Sequence, residues 1–351
     1  MKILTRVLVG AMLTAILGFG ALTFSPATTT AQTELGPITS AIIERGELIC
    51  GVNQTLAGFG VVNDAGEFSG FDVDFCRAVA AAVLGDSEAV AYRPLVASER
   101  QAAMQSGEID LMVRNTTWTL SRDVTWGAIF GPTTFYDGQG VGTRADLGVT
   151  TIAELDGSAM CVQTGTTTEL NITDFIEANG LDIEIQVYPD NPSTIEAFFS
   201  GACESWTTDK SGIAAIHATS DDPSQYIILG ETLSKEPLGP LSPQSDPQFA
   251  EIMHWVHYGM VNAEEFGINS GNVMDFLDSE DAGIQRLLGQ NNNDSGNFLG
   301  IPNDFMVAVI SQVGNYGEVY ERNLVPLGLT REGSPNASWT EGGLIYAPPF
   351  R

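Results

Sequence analysis

From about Glu47 onward the chain alternates short apolar runs with longer stripes of 3.6-residue period. Glu47 to Val52 reads as a strand and Asn53 to Gly60 as the loop leaving it. Gly66 to Leu84 opens as a turn and becomes a helix with Cys76, Val79, Ala80, Val83 and Leu84 on one face, and Asp72 or Asp74 is placed to serve its free amides. Val90 to Tyr92 is a further short strand, and Ser98 stands where it would cap a helix running to Ser106. Ile109, Leu111 and Val113 then alternate with more variable positions, so a buried strand should end near Arg114. Between Gly127 and Gly142 the pattern changes to turns and short extended pieces. A second strand–helix–strand rhythm follows, through Ala159 to Gln163, Thr168 to Ala178, Ile183 to Tyr188, Ser193 to Gly201 and the segment leading to Thr208. Tyr226 to Gly239 alternates and turns back, Phe249 to Phe266 is a long amphipathic helix, and Gly289 to Gly300 is a loop. Alternating strands and helices in two blocks define an α/β protein of two units.

Three polar clusters follow apolar strand patterns. Gly107 to Arg122 ends in Arg114, Asn115, Thr116, Thr117, Thr119, Ser121 and Arg122. Ligands collect at the carboxyl ends of strands, and an arginine among short hydroxyls suits a carboxylate; an ordinary capped loop with a surface arginine is the plainer alternative. Thr164-Gly165-Thr166-Thr167-Thr168 joins a strand to a helix and offers an anion cradle, without the lysine or spacing of a nucleotide loop. Thr207-Thr208-Asp209-Lys210-Ser211 is the acidic counterpart, in which Asp209 could merely cap the helix from Ser211 to Ala218. Asp72 with Asp74, and Glu251 with His254 and His257, lack further ligands for a metal site, so these histidines read as surface or interface residues and no cofactor is expected. Without a trusted base near the hydroxyls, no enzymatic activity is expected either.

Together with Gly70 to Ala80, Gln163 to Glu169 and Thr207 to Ser211, the Gly107 to Arg122 stretch resembles the periplasmic amino-acid-binding proteins of ABC transporters, in particular their general L-amino-acid-binding branch. The resemblance runs from about Glu44 to Arg351. It implies a two-lobed periplasmic-binding-protein fold with two hinge strands and the ligand in the cleft between lobes. Lobe 1 would be discontinuous, 41–136 and 234–351, and lobe 2 would be 137–233. It maps Arg122 onto the ligand carboxylate and Asp209 onto the α-ammonium, with Asn115, Thr117, Thr166, Thr167 and Arg114 around them. Where the family usually carries a stacking aromatic this chain has Leu56, leaving Phe59 and Trp118 as replacements and implying broad selectivity. The implied partners are free L-amino acids and inner-membrane ABC permease subunits. A clam-shell that senses an amino acid without transport is the alternative.

Charge and cysteines add to this picture. Lys2 and Arg6, the apolar run Val7 to Leu22 and the Thr-rich segment up to Ala31 have the layout of a signal peptide over 1–31, with the mature chain starting near Gln32. No cysteine precedes Cys50, so no lipid anchor is expected and the mature protein should be free in solution; with the resemblance, a periplasmic monomer is expected. Without the leader, 13 basic residues face 44 acidic ones and the formal charge moves from −29 to −31, which argues against nucleic acid or anionic lipid as a partner. Cys50, Cys76, Cys161 and Cys203 have no zinc or redox spacing. In an oxidising compartment we expect two disulfides, preferably Cys50–Cys76 and Cys161–Cys203 because neither crosses a unit boundary, with buried free thiols as the alternative. The apolar Trp339, Leu344, Ile345 and Tyr346 are expected to strap the tail onto a lobe.

Overall fold

A computed structural model describes residues 35–351 except Asn292; the expected leader and its cleavage site lie outside the described residues. Two mixed sheets, each with helices on both faces, form the two lobes. In the first, strands run in the order 90–94, 48–52, 111–112, 241–243, 128–130. The Leu48–Val52 strand is parallel to both neighbours, Val90–Pro94 and Leu111–Met112, whereas Leu241–Pro243 is antiparallel. Period-two alternation separates the two faces: Cys50, Val52, Leu111 and Val113 pack into a core with the Phe71–Leu84 and Pro247–Glu265 helices. Met112 faces Leu95, Trp126 and Leu241 on the other side, and Ile109, which precedes the Leu111–Met112 strand, joins that second core rather than the one holding Leu111 and Val113. Gly51 lies where the sheet meets that second core, and a Cβ there would stand 2.8 Å from Leu95 Cδ1 and 2.9 Å from Ile109 Cδ1, so these two side-chain ends would have to shift.

The second sheet has the order 184–188, 159–163, 205–209, 135–144, 226–228. Glu184–Tyr188 and Ser205–Asp209 are parallel to Ala159–Gln163, and the long Phe135–Arg144 strand is antiparallel to Ser205–Asp209. Met160 with Ile172 and Ile183 fills one face; Cys161 with Trp206, Phe198 and Ile213 fills the other. The chain leaves the first sheet into Phe135–Arg144 and returns through Lys235–Leu238, and these two crossing strands pair antiparallel with Glu236 opposite Asp137 and Leu238 opposite Phe135. Phe135 and Leu238 are both buried in the first core, so the crossings are anchored at that end.

Several local expectations change once long-range partners are visible. Neither acid of the Phe71–Leu84 helix caps its start, which begins at Gly70 with no side-chain cap. Asp74 instead accepts from Arg322 Nε at 2.9 Å and Asn323 Nδ2 at 2.7 Å, and Asp72 reaches the ligand loop. Ser98 sits inside a short 3-10 turn and caps nothing, because Glu99 turns back to accept from the Val96 amide at 3.1 Å. His257 is buried beside Phe75 and Tyr316, where burial holds its pKa down to about 3, so it is a neutral core residue and not a surface one. The loop from Gly289 to Gly300 contains a short helix, Ser295–Leu299. The tail is fixed by Ile345, Ala347 and Phe350, which are buried, while Trp339, Leu344 and Tyr346 stay exposed. Asn262 Nδ2 donates to the Pro348 carbonyl at 3.0 Å and Arg286 Nε to that of Phe350 at 2.6 Å.

Cys50 is bonded to Cys76 and Cys161 to Cys203, spanning 26 and 42 residues, and no described cysteine is free. Each bridge starts from the middle of a parallel strand: Cys50 is tied to the Phe71–Leu84 helix packed on it, and Cys161 to the turn between the Asn191–Phe199 helix and the Ser205–Asp209 strand. Reduction is expected to lower the unfolding free energy by roughly 2–4 kcal/mol per bridge in urea melts. Thiol titration of the denatured, unreduced chain should find no free thiol; two would break this assignment.

Candidate functional site

Every parallel strand of both sheets points its carboxyl end into one cleft, where loops and helix N-termini converge. From the first lobe come Asn53 and Leu56 after the first strand, Arg100 beyond Val90–Pro94, and Arg114, Asn115, Thr117 and Arg122 after Leu111–Met112. From the second come Gln163, Thr166, Thr167 and Thr168, then Asn191, then Trp206, Thr208, Asp209 and Gly212. These residues surround about 550 Å³ of space that is partly open to solvent. Of the residues expected from sequence, Arg122, Asp209, Asn115, Thr117, Thr166, Thr167, Arg114 and Leu56 all line it. Trp118 does not: its ring stacks on Phe130 at 5.7 Å and is partly exposed, and Phe59 lies in the core against Phe71 and Phe135.

Three buried arginines form the first-lobe wall. Arg122 sits on the Leu120–Thr125 helix, whose Thr119 cap accepts the Arg122 amide at 3.3 Å, and its Nη1 donates to the Thr117 carbonyl at 3.0 Å. Its other guanidinium donors have no hydrogen bond among the described residues. Arg114 is oriented by Nε donating to the Leu95 carbonyl at 2.8 Å. Arg100, which the sequence pattern did not single out, donates to the carbonyls of Ala97 at 3.0 Å and of Gly165, across the cleft, at 3.3 Å. The Arg122 and Arg100 guanidinium carbons lie 5.1 and 5.8 Å from the Trp126 ring centre, a cation–π arrangement that offsets part of their loss of water. Burial pulls all three below the usual arginine range, Arg114 to about 10; Arg122 and Arg114 repel Arg100 further.

The opposite wall is acidic. Asp209 ends the Ser205–Asp209 strand, is buried, and makes no side-chain cap to the following helix, so the capping reading is not what its carboxylate does. Its one hydrogen bond is long, 3.5 Å from Asn115 Nδ2 of the other lobe. Burial raises its pKa well above the usual range, and neighbouring Asp137 and Glu236 raise it further. Glu236, on the returning crossing strand, is itself satisfied: Thr167 Oγ1 donates at 2.9 Å, Asn171 Nδ2 at 3.1 Å, and Ser234 Oγ as well. Asp137 accepts from Ser211 Oγ and from the Gly138 amide at 2.8 Å. Among the described residues no ion pair within 4.0 Å joins Arg100, Arg114 or Arg122 to any of these carboxylates. Opposite buried charges therefore face one another across the cavity without meeting.

Asn115 stands between the walls with φ +29°, a left-handed conformation uncommon outside glycine. Its amide donates to buried Asp72 at 2.8 Å, and its Oδ1 accepts from Asn53 Nδ2 at 3.3 Å and Arg114 Nη1 at 3.4 Å. Burial pushes Asp72 up to about 7, against the pull of the Asn115 amide and Arg114.

Converging loops from two lobes and opposed buried charges make a cleft between lobes suited to a small solute. Residues 48–262 match the bacterial extracellular solute-binding proteins, family 3, and the chain belongs to that family, whose members are non-catalytic. It is 46% identical over 316 residues to the general L-amino acid-binding periplasmic protein of Rhizobium johnstonii, covering 89% of this chain and 92% of that one. It is also 46% identical over 311 residues to the glutamate/glutamine/aspartate/asparagine-binding protein of Rhodobacter capsulatus, covering 88% and 91%. A periplasmic binding protein structure from Brucella ovis with glutathione bound superimposes with a TM-score of 0.86 at 43% identity, covering 89% of this chain and 99% of that one. The protein is thus an extracytoplasmic solute-binding protein of the amino-acid ABC-transporter type.

The Asp72 position makes a pH prediction with a definite sign. Its folded pKa of about 7 lies above the unfolded value near 3.9, so between these pH values the folded chain holds a proton that the unfolded chain has lost. The contribution is fully present below about pH 4 and is lost as pH rises to 7. Asp72→Asn keeps an acceptor for the Asn115 amide and removes the titration. Urea melts should show the mutant gaining stability relative to wild type as pH rises from 4 to 7; a pH-independent difference would contradict this.

Proposed function

We propose that the protein captures free L-amino acids with broad preference and delivers them to an inner-membrane ABC permease. The observation that carries this is the pair of buried, opposite and unjoined charges: Arg122 on one lobe with free guanidinium donors, Asp209 on the other with a single long hydrogen bond. A zwitterion laid between them satisfies both, its α-carboxylate on Arg122 with Thr117, Thr167 and the amides of the Thr167–Asn179 helix start, its α-ammonium on Asp209. The relatives named above support the reading, since glutamate, glutamine, aspartate, asparagine and glutathione all carry a free α-amino-acid end. Leu56, close to Gly212, gives an apolar wall that stacks on nothing and so discriminates weakly.

In this reading 41–136 with 234–351 and 137–233 are the two lobes, closing about the paired crossing strands. The precursor loses residues 1–31, and the mature protein acts as a monomer free of a lipid anchor. The likeness to the Brucella ovis ABC-transporter periplasmic binding protein favours transport over sensing.

Arg122→Ala is expected to weaken every amino acid by a similar amount, roughly 2–5 kcal/mol, because the contact is to the part they share. Asp209→Asn keeps the shape and should act likewise. Calorimetry on refolded, ligand-free protein, with circular dichroism to check folding, reads both. Loss of one ligand class alone would mean that residue reads side chains; an unchanged panel would remove the clamp. On the wild type, several chemically unlike L-amino acids should bind within about tenfold of one another, and one ligand a thousandfold ahead would disprove broad preference.

A further inference from the structure

The outgoing crossing strand is gripped from outside by a part of the chain that the family match does not reach. Residues 263–351 lie beyond the matched span 48–262. Two of their helices, Phe305–Gln312 and Tyr316–Asn323, pack on the Phe71–Leu84 and Pro247–Glu265 helices of the first lobe. From there they reach the start of the crossing. Tyr316, buried, donates its hydroxyl to the Thr134 carbonyl at 2.8 Å, and Tyr320 stacks on Phe135 with ring centres 6.1 Å apart. Asn336, also buried, takes both backbone groups of Tyr136: its Oδ1 accepts the amide at 2.7 Å and its Nδ2 donates to the carbonyl at 3.0 Å.

Tyr136 needs such a partner because the neighbouring strands supply none. Opposite it lies Pro237, which has no N–H and whose carbonyl is taken by the Trp118 amide at 2.8 Å. Pairing with Ser205–Asp209 starts only at Gln139. A carboxamide that accepts and donates at once stands in for one rung of a ladder. Asn336 is itself held, since Ser334 Oγ accepts its amide at 3.2 Å and Arg331 Nε donates to its carbonyl at 3.0 Å. Arg331 in turn lies over the Tyr316 and Tyr320 rings, 5.0 and 5.5 Å from their centres, and pairs with Glu264. The grip is one connected set, and it ends at Tyr136.

We propose that Asn336, with Tyr316 behind it, is a positioning residue that fixes the outgoing strand to lobe 1 as far as Tyr136 and confines the rotation between lobes to the crossing beyond it, at Asp137 and Gly138. A hinge works through the few residues that absorb the change in backbone angles, and a strand left unpaired at Tyr136 would spread that change over a longer stretch. With the grip in place the solute meets lobes whose relative orientation is already restricted, so less of its binding free energy goes into ordering them. Only this effect on affinity rests on the amino-acid-receptor reading.

The test uses the full mature chain with Asn336→Ala, and Tyr316→Phe as a milder variant that loses only the hydroxyl; circular dichroism checks that each folds. Without solute, small-angle scattering should give both variants a larger radius of gyration than wild type. Hydrogen exchange in the returning Lys235–Leu238 strand, whose own bonds neither variant removes, should speed up about tenfold in Asn336→Ala. With L-glutamine as the probe, calorimetry should show about three- to tenfold weaker binding to Asn336→Ala, and the scattering difference should vanish at saturation. Scattering and exchange equal to wild type in folded Asn336→Ala would overturn the proposal. A radius that stays larger with glutamine bound would overturn it too, because that reports a loosened fold and not a freer hinge. If Asn336→Ala failed to fold, the same two readouts on Tyr316→Phe decide. A wild type that bound no glutamine would count against the receptor reading, while the solute-free scattering and exchange still decide the hinge.

Discussion

The structure depends on keeping opposite buried charges apart. A guanidinium or carboxylate taken out of water costs several kcal/mol unless it is paired and hydrogen-bonded. Here Arg100, Arg114 and Arg122 come from one lobe, Asp209 from the other, and Asp137 and Glu236 from the crossing strands. Without the facing wall, each cluster would hold mostly like charges in a desolvated place, the arginines being relieved on their own side only by Asp72 beside Arg114. Asp209 shows the result, its carboxyl driven up by burial and then by its acidic neighbours. The protein has not relieved this by closing a direct salt bridge across the cleft, which would have been the cheaper arrangement for stability. A zwitterionic solute supplies the missing half of each pair, so solute binding and lobe apposition draw on the same electrostatic free energy.

The loop that carries the arginines is also tied to the crossing strands. The Trp118 amide donates to the Pro237 carbonyl at 2.8 Å and the Gly239 amide to that of Thr116 at 3.1 Å, so the segment behind Thr117 moves with the returning strand. Beside the cavity, Asn115 reaches Asp209 in one lobe and Arg114 and Asn53 in the other. Its left-handed backbone is held by a buried carboxylate on the Phe71–Leu84 helix, which over-determines a conformation that an isolated asparagine seldom adopts. Apart from the bonds made to the crossing strands, the hydrogen bonds between the two lobes among the described residues are Arg100 to Gly165, Asn115 to Asp209, and Thr117 to Thr167 at 3.5 Å. Weak contacts of this kind leave the closing free energy to the solute.

What the sequence shows and what it hides follow from the range of the interactions. The α/β class and the polar strand-end clusters that hold Arg122, Asp209, Thr117 and Thr167 were legible because strand alternation and turns are local patterns, whereas the two-lobed fold and the choice of Arg122 and Asp209 within those clusters came from the family resemblance. Arg100 was not, since it opens a short helix with polar flanks and reads as a surface residue; only its place just beyond the end of a parallel strand could have pointed to it. Glu236 was hidden because an edge segment Lys-Glu-Pro-Leu gives no sign that Thr167, Asn171 and Ser234 converge on its acid. Asp72 and Asp74 look like helix-start residues by spacing, yet their partners lie 43 and about 248 residues away. Trp118 was misread through reach: the chain turns after Thr117 so that its ring covers Phe130 on the outside of the first sheet.

The acidic surface and the basic pocket are compatible because they act over different distances. A formal charge of −29 for the whole chain sets a field that salt screens within about 8 Å at physiological ionic strength. Arg122, backed by Trp126 and walled by protein, acts on a carboxylate at hydrogen-bond distance where little water intervenes. The field therefore governs the approach of an anionic solute, and the pocket governs how long it stays. Added salt should ease the approach by screening repulsion while leaving the desolvated clamp nearly untouched, a separation that arises because the positive groups are buried and the negative majority is not.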